Sequence, residues 1–314
     1  MRILTRKIAL SILTLTFSII ALTTTTFAWF TLSTSNTIDG IQLSVTLGED
    51  LELSLDNISY YQSLSNELIH QYINNLNLSD ITSLNGFELY NKKGTNLNIK
   101  KNVDYVSITI YFRTLNPRLK YVYLTNDISQ SLSYQDASGK GTYFVSNGVN
   151  WQADISFVND EYGNKIERGT IKRYYATDAL RIALIEQKVY DDDTRDESTL
   201  IKTIIDPSNN PLRGYGMPYG AIAYWNAKRN QMTLPPSNIP DTIYRLSTIK
   251  GGFSDNQNSK ATELRPGAWE VGYQEFFVGK ATINLWLEGW DADCFDAILK
   301  DQIKIQLQFQ AAIN

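Results

Sequence analysis

The chain has few residues suited to cross-linking or metal chemistry, with one cysteine and one histidine among 314 residues. The single Cys294 excludes an intrachain disulfide, so packing must supply the stability. We expect a buried thiol beside Trp290 and Phe295, the alternative being a thiol available to a partner chain. A zinc protease needs two histidines one helical turn apart, so the lone His70 excludes that arrangement. With one histidine and one cysteine far apart in the sequence, a Ser-His-Asp or Cys-His catalytic site is not expected. We expect His70 to be a partly exposed helix residue.

Basic residues are slightly outnumbered, with 29 Lys and Arg against 33 Asp and Glu. An acidic chain is a poor candidate for binding nucleic acid or anionic lipid. These two partner classes are therefore not expected.

A long hydrophobic run occurs at the beginning of the chain. Arg2, Arg6 and Lys7 precede the apolar residues 8–22, and Thr26-Phe27-Ala28 has the small-x-small pattern of a cleavage site. We predict that residues 1–28 are a signal peptide and that cleavage falls between Ala28 and Trp29. The alternative is a retained membrane anchor, although the run is shorter than the roughly 20 residues that a spanning helix needs.

Cleavage would have two consequences. It removes three basic residues and leaves 26 basic against 33 acidic ones, a net charge of about −7. It also leaves no stable membrane span, and no cysteine follows the run for lipid attachment. We expect a secreted protein that is extracellular or held at the cell surface.

Period-two alternation and many Tyr, Thr, Ile and Val residues predict a mainly β protein. The predicted strands are residues 41–47, 51–55, 103–112, 120–124, 180–185, 221–225, 281–288 and 303–309. The last strand alternates apolar and polar residues, which indicates a sheet with one wet face and therefore antiparallel pairing. A helical spacing of apolar residues between Leu64 and Leu76 predicts one short amphipathic helix, with Ser63 or Ser65 as its cap.

Long polar loops follow residue 130, at residues 130–150, 190–199, 205–218 and 226–240. Strand patterns before and after them are alike, so we expect residues 29–314 to form a single β-sandwich domain with insertions at roughly 127–270, rather than two domains.

Acidic clusters are the best candidates for a binding site. Glu288, Asp291, Asp293 and Asp296 crowd the turn after a predicted strand, and such carboxylates can hold calcium, although the spacing is not that of an EF-hand. The alternative is a solvated turn that caps its own backbone. A second acidic run, residues 191–197, is interpreted as a mobile loop or a weaker cation site.

Other patterns favour structural roles. The glycines at 214, 216 and 220 resemble a phosphate loop, but Pro218 and the absence of a predicted following helix favour a turn. Exposed Trp and Tyr beside carboxylates would suit sugar binding, whereas aromatic residues in a β core are the commoner case. A glycan hydrolase using two carboxylates is a further alternative.

Several segments of the chain resemble a known family. The apolar segment ending in Thr-Thr-Thr-Thr-Phe-Ala-Trp-Phe-Thr (residues 23–31), followed by Asn36, Thr37 and Gly40, is similar to TasA/camelysin-like secreted matrix proteins of Gram-positive type bacteria, which depend on a specialised signal peptidase. Weaker similarity covers residues 111–114, 180–182 and 285–294.

The resemblance implies a jelly-roll sandwich and subunits that polymerise into biofilm fibres by lending an N-terminal strand to the next subunit. The metallopeptidase label of some members does not transfer, because the zinc-type histidine pair is missing. The long region at 130–240 departs from compact members.

Strand lending also has a physical basis in the residues. Trp29, Phe30, Thr31 and Leu32 are uncharged and mostly apolar, and such a segment can pair with an unpaired sheet edge of a neighbour. The alternative is that this segment completes its own sheet or is disordered.

The sequence therefore predicts a mainly β, antiparallel jelly-roll-like β-sandwich with one short amphipathic helix and long loop insertions. The expected function is a structural subunit of a bacterial surface or biofilm-matrix filament that assembles with itself through residues 29–32 and does not act as an enzyme. Other matrix or surface proteins and glycans are further expected partners. The alternative is a monomeric carbohydrate-binding or adhesion module with calcium-stabilised loops. No cofactor other than calcium is expected.

Overall fold

A computed structural model describes residues 36–46, 50–73, 77–91, 99–137, 140–191, 193–230, 232–270 and 274–314. The predicted signal peptide, the cleavage site at Ala28 and Trp29, and the assembly segment of residues 29–32 lie outside the described residues. Residues 35–314 form one compact unit.

Strands dominate the described chain. The first half contains β1 (Asn36–Val45), β2 (Glu52–Ser54), β3 (Ser63–Leu64), β4 (Asn77–Leu78), β5 (Asp80–Ile81), β6 (Val106–Thr114), β7 (Tyr121–Leu124), β8 (Tyr143–Ser146) and β9 (Val149–Gln152). The second half contains β10 (Phe157–Val158), β11 (Lys165–Ile166), β12 (Ile171–Tyr174), β13 (Leu180–Glu186), β14 (Lys202–Ile205), β15 (Thr242–Ile243), β16 (Ile249–Lys250), β17 (Phe253–Ser254), β18 (Lys260–Glu263), β19 (Arg265–Glu270), β20 (Gln274–Glu288) and β21 (Gln302–Ala312). The described α-helices are α1 (Asn66–Tyr72) and α2 (Ala221–Arg229).

Two large sheets form a sandwich. The first has the strand order β18-β7-β21-β1-β3, with β4 on β1 and β8 on β21. The second has the order β15-β14-β13-β20-β6-β2, with β5 and β19 on β20. The predicted mainly β, jelly-roll-like sandwich with few helices is therefore confirmed.

The main core lies between the two sheets. Apolar residues of β21 at 303, 305, 307 and 309 are buried, as their alternation predicts. Phe309 of the first sheet meets Phe112 of the second edge to face, with 5.1 Å between ring centroids. The outer face of the second sheet carries a smaller cluster around Trp286 and Ile185, so β13 is buried on both faces and has a continuous apolar sequence.

Pairing is mostly antiparallel, and the parallel pairs among the described strands are β1 with β21, β14 with β15 and β5 with β20. The β1–β21 pairing runs from Thr37 beside Gln302 to Val45 beside Phe309, with a register shift between Ile38 and Gly40. The face of β21 predicted to be wet is also partly covered, since Gln306 is buried.

Residues 221–225, predicted as a strand, instead begin helix α2. Their apolar alternation is short, and the residues that follow include Ala227, Lys228 and Arg229, which favour helix. Gly220 enters the helix at φ 62°, and Asn230 ends it in the left-handed region. The helix propensity of the residues after the apolar run therefore determines that this segment is a helix.

Helix α1 is shorter than its predicted extent, ending at Tyr72. Ser65 occupies the cap position but its side chain makes no capping bond. Ile69 and Ile73 are buried, and Asn66 Oδ1 accepts the backbone amide of Ile41 at 3.0 Å. The helix therefore packs beside β1 and covers part of the sandwich.

Candidate functional site

The four carboxylates predicted as a calcium site lie at the last residue of β20 and in the turn after it, but they face different partners. Glu288 is buried and accepts from Trp286 Nε1 at 3.0 Å and from the Trp290 amide at 3.1 Å. Asp291 is buried against Arg181, with 2.5 Å between Oδ2 and Nη2. These two carboxylates are thus already engaged by groups of the chain.

The other two carboxylates are paired with cations of the region at 213–228. Asp293 accepts from Arg213 at 2.6 Å, and Asp296 accepts from Lys228 at 2.6 Å and from the Tyr224 hydroxyl at 2.8 Å. Within the described residues, no three His, Cys, Asp or Glu side chains are grouped to hold a metal ion. The structure therefore brings Asp291, Asp293 and Asp296 into ion pairs and Glu288 into hydrogen bonds, and calcium stays a prediction.

Arg181 is the centre of this buried network. It lies on β13 among apolar residues, is 2 % exposed, and also lies 2.7 Å from Asp206 Oδ2. One guanidinium cannot neutralise every carboxylate nearby. Burial raises the pKa of Asp206, and burial, opposed by Arg181, raises the pKa of Asp291 well above its usual value.

Asp178 lies beside this network, just before β13. Burial, followed by repulsion from Asp293, raises the pKa of Asp178 to about 7. Asp178, Asp206 and Asp291 therefore all have raised pKa values, which distinguishes the network from a solvated acidic turn.

In the acidic run at residues 191–197, Asp193 and Asp196 each have a partner within the chain. Asp193 accepts from Arg195 at 2.8 Å, and the Arg195 side chain holds the pKa of Asp193 at about 2. Asp196 accepts the Ser198 amide at 2.8 Å. Of this run, residue 192 lies outside the described chain.

The glycine segment at 214–220 does precede a helix, contrary to expectation. The N-terminus of α2 is closed by protein, because the Ala221 amide donates to the Ala292 carbonyl at 2.8 Å. A Cβ added at Gly220 would lie 2.2 Å from the same carbonyl oxygen. The segment is a tight packing turn, as predicted, rather than a phosphate site.

The remaining candidates occupy structural positions. Cys294 is buried, as predicted, and His70 is exposed on α1. Trp151 packs edge to face against four rings, those of Phe157, Tyr174, Tyr224 and Phe295. These aromatic residues belong to the core.

A polar cleft of about 650 Å³ lies on the outer face of the first sheet. Its floor includes Gln308 and Gln310 of β21 and Thr46, which follows β1. Its walls are residues 125–131 and 244–249, with Pro207 and Asn209 at one end. The cleft forms where the chain leaves β7, since β7 and β8 pair with different parts of β21 and the Thr125 amide donates to the Gln308 carbonyl between them.

Comparison with protein-family models, curated proteins and solved structures finds no match to this chain. Among the described residues, none of the helices combines the length and apolar character needed to cross a membrane.

The sequence reasoning missed both the arginine pairs and the cleft. A charged residue inside the apolar run of β13 was the available signal for Arg181, because such a residue needs a buried counter-ion. The cleft had no such signal, because its lining comes from segments far apart in the chain.

Proposed function

We propose that the chain is a secreted structural subunit of a bacterial surface or biofilm-matrix filament, assembling with itself through residues 29–32. The support is an asymmetry between the two sides of the sandwich. On the α1 side, defined as β1, β6 and the helix α1, the outer edges of the two long strands pair, within the described chain, only with strands of two or three residues. Catalysis has no part in this proposal.

The outer edge of β1 carries little pairing among the described strands. β1 is ten residues long, while β3 and β4 on this edge have two residues each. Between them, the Ile41 amide is satisfied by the side chain of Asn66. A side chain here takes the role that a neighbouring strand would otherwise have.

The outer edge of β6 is covered over a third of its length. β2 pairs with residues 111–113, whereas β20 pairs with residues 106–114 on the opposite edge. Leu53 is paired with Phe112 of β6, but its amide donates to the Tyr61 carbonyl on the side away from β6. Because the amides of successive strand residues point to opposite edges, the amide of Tyr111 points towards β2. By alternation, Thr109 directs its amide to the same edge, beyond the end of β2. The Ser107 amide on this edge donates to the Asn102 side chain.

Edges of this kind accept an added strand, because backbone groups provide affinity and side-chain pockets provide specificity. Residues 29–32, Trp-Phe-Thr-Leu, are one residue shorter than the stretch at 106–110 and carry no charge. We therefore place the acceptor for a neighbour's N-terminal segment on the α1 side, next to β6.

Assembly is tested by comparing a chain that begins at Trp29 with one that begins at Ser35. The shorter chain keeps Asn36, whose Oδ1 accepts the Asp301 amide at 2.8 Å, so β1 stays anchored. Both are concentrated at neutral pH and followed by sedimentation and electron microscopy. Fibres from the longer chain alone support the proposal.

Dispersed particles from both chains would contradict it. Such a result would favour the alternative, a monomeric carbohydrate-binding or adhesion module with calcium-stabilised loops. A monomer whose glycan binding is lost in chelator would support that alternative.

A further inference from the structure

We propose that the polar cleft is a binding site for an uncharged oligosaccharide. The site goes beyond the filament function and does not depend on it, because it lies on the outer face of the first sheet rather than on the α1 side. Its volume, about 650 Å³, falls within the range of small-molecule sites.

The polar part of the lining suits hydroxyl groups, and apolar side chains such as Ile128, Leu246 and Ile249 make up the rest. Amide side chains occupy the floor and one wall, and serine and threonine hydroxyls lie between them. An amide presents a donor and an acceptor side by side, which matches two adjacent sugar hydroxyls. The described lining has one acidic residue, Asp127, and one basic residue, Arg245, so the charges balance and a strongly charged polymer gains nothing.

The polar groups are held in place before any ligand binds. Gln308 Nε2 donates to Thr46 Oγ1 at 2.8 Å, and Asn126 Nδ2 donates to Gln308 Oε1 at 3.2 Å. Asp127 Oδ1 accepts the Ser129 amide at 2.9 Å. Side chains fixed in this way lose little conformational freedom on binding, which favours a weakly interacting ligand such as a sugar.

A peptide is a poorer fit than a sugar. Peptides commonly add a strand to a free sheet edge. The floor strand β21 has no free edge here, because β1 pairs with it on one side and the Thr125 amide binds Gln308 on the other. Recognition must therefore come from side chains that point out of the sheet.

The test is calorimetric titration of the full chain, in a detergent without a sugar headgroup. The probes are the neutral hexasaccharides of maltose, cellulose, xylan and chitin types, with hexagalacturonate as the charged comparison. We expect at least one neutral probe to bind with a Kd between about 10 μM and 1 mM, and hexagalacturonate to bind at least about tenfold more weakly.

Variants locate the site. Thr248→Trp, at an exposed wall position, should abolish binding by filling the cleft, and Gln308→Ala should weaken it about tenfold. Gln302→Ala is the matched control, because Gln302 lies on the same strand, is exposed and is outside the lining, and it should leave the Kd unchanged.

Absence of binding by every neutral probe at about 5 mM would overturn the proposal, as would binding that survives Thr248→Trp. Stronger binding of hexagalacturonate would also overturn it. Since neither fibres nor the N-terminal segment enters the readout, failure here leaves the assembly proposal untouched.

Discussion

The two sides of the sandwich are closed by different means. On the β18 side, defined as β13, β14 and β18, charged groups tie the sheets together. Glu186 of β13 accepts the Ile201 amide before β14, at 2.9 Å, and the Glu263 amide of β18, at 3.0 Å. Arg195 adds a contact to Glu186 at 2.8 Å. On the α1 side, a seven-residue helix and strands of two or three residues cover longer strands.

This difference indicates how one fold can combine stability with assembly. Buried charge pairs are costly to break once formed, so the β18 side resists opening. Short elements with few buried residues open more easily, and edge strands beneath them can then accept a new partner. We therefore expect variants on the two sides to differ in both stability and assembly.

Loss of the buried guanidinium should have the largest effect. Arg181→Met leaves Asp206 and Asp291 without their counter-ion, and we expect the free energy of unfolding to fall by about 3 to 5 kcal/mol. Urea denaturation measures this. Arg168→Met is the control, because Arg168 is exposed, and it should change stability by less than about 0.5 kcal/mol. A similar small loss in both variants would contradict the importance of the network.

On the α1 side, Ile69→Ala should cost about 2 to 3 kcal/mol, at the low end for a buried isoleucine because α1 is short and can adjust. Ile58→Ala is the matched control, since Ile58 is 81 % exposed. We also expect Ile69→Ala to hasten assembly of the chain that begins at Trp29, because it loosens the cover. Slower assembly, measured by light scattering, would count against the α1 side as the acceptor.

Removal of the Asn66 side chain should have a smaller effect. Asn66→Ala leaves the Ile41 amide without its acceptor and should cost about 1 to 2 kcal/mol. Asn66→Asp keeps an oxygen at the same position and should lose less. Equal losses in thermal or urea unfolding would show that the hydrogen bond to β1 contributes nothing.

The protonation of Asp178 should give the most specific effect, because it appears only as the pH changes. Its pKa is raised to about 7 in the folded chain from 3.8, so between about pH 4 and 7 the folded state binds more protons than the unfolded state. The stability contributed by this group is present below pH 4 and is lost as the pH rises through 7. Asp178→Asn should therefore flatten the decline of the urea midpoint across this window. An unchanged slope would contradict the raised pKa.

Much of the fold could be predicted because strand alternation is local. The alternation of apolar residues in β21 and the continuous apolar run of β13 are both visible in the sequence. The strand prediction for residues 221–225 was wrong because a run of five residues fits the strand period and the helix period equally well, and the helix-favouring residues lie just beyond it. The parallel pairing of β1 with β21 joins strands far apart in the sequence, such as Thr37 beside Gln302, and no local pattern encodes it.

The sites were harder to predict because they depend on contacts between distant residues. The turn at 288–296 was correctly identified as rich in carboxylates, but Arg181 and Arg213 reach it across about 110 and 80 residues of sequence. Spacing rules describe ligands close together in the chain, so they do not reveal that Arg181 and Arg213 pair with these carboxylates.

Hydrogen exchange on the chains that begin at Trp29 and at Ser35, each at low and high concentration, tests the proposed acceptor most directly. We expect the Thr109 amide to gain protection only in the concentrated longer chain, while β13 amides stay protected throughout. Protection of the Thr109 amide that is equal in all four samples would contradict the α1 side as the place where subunits join.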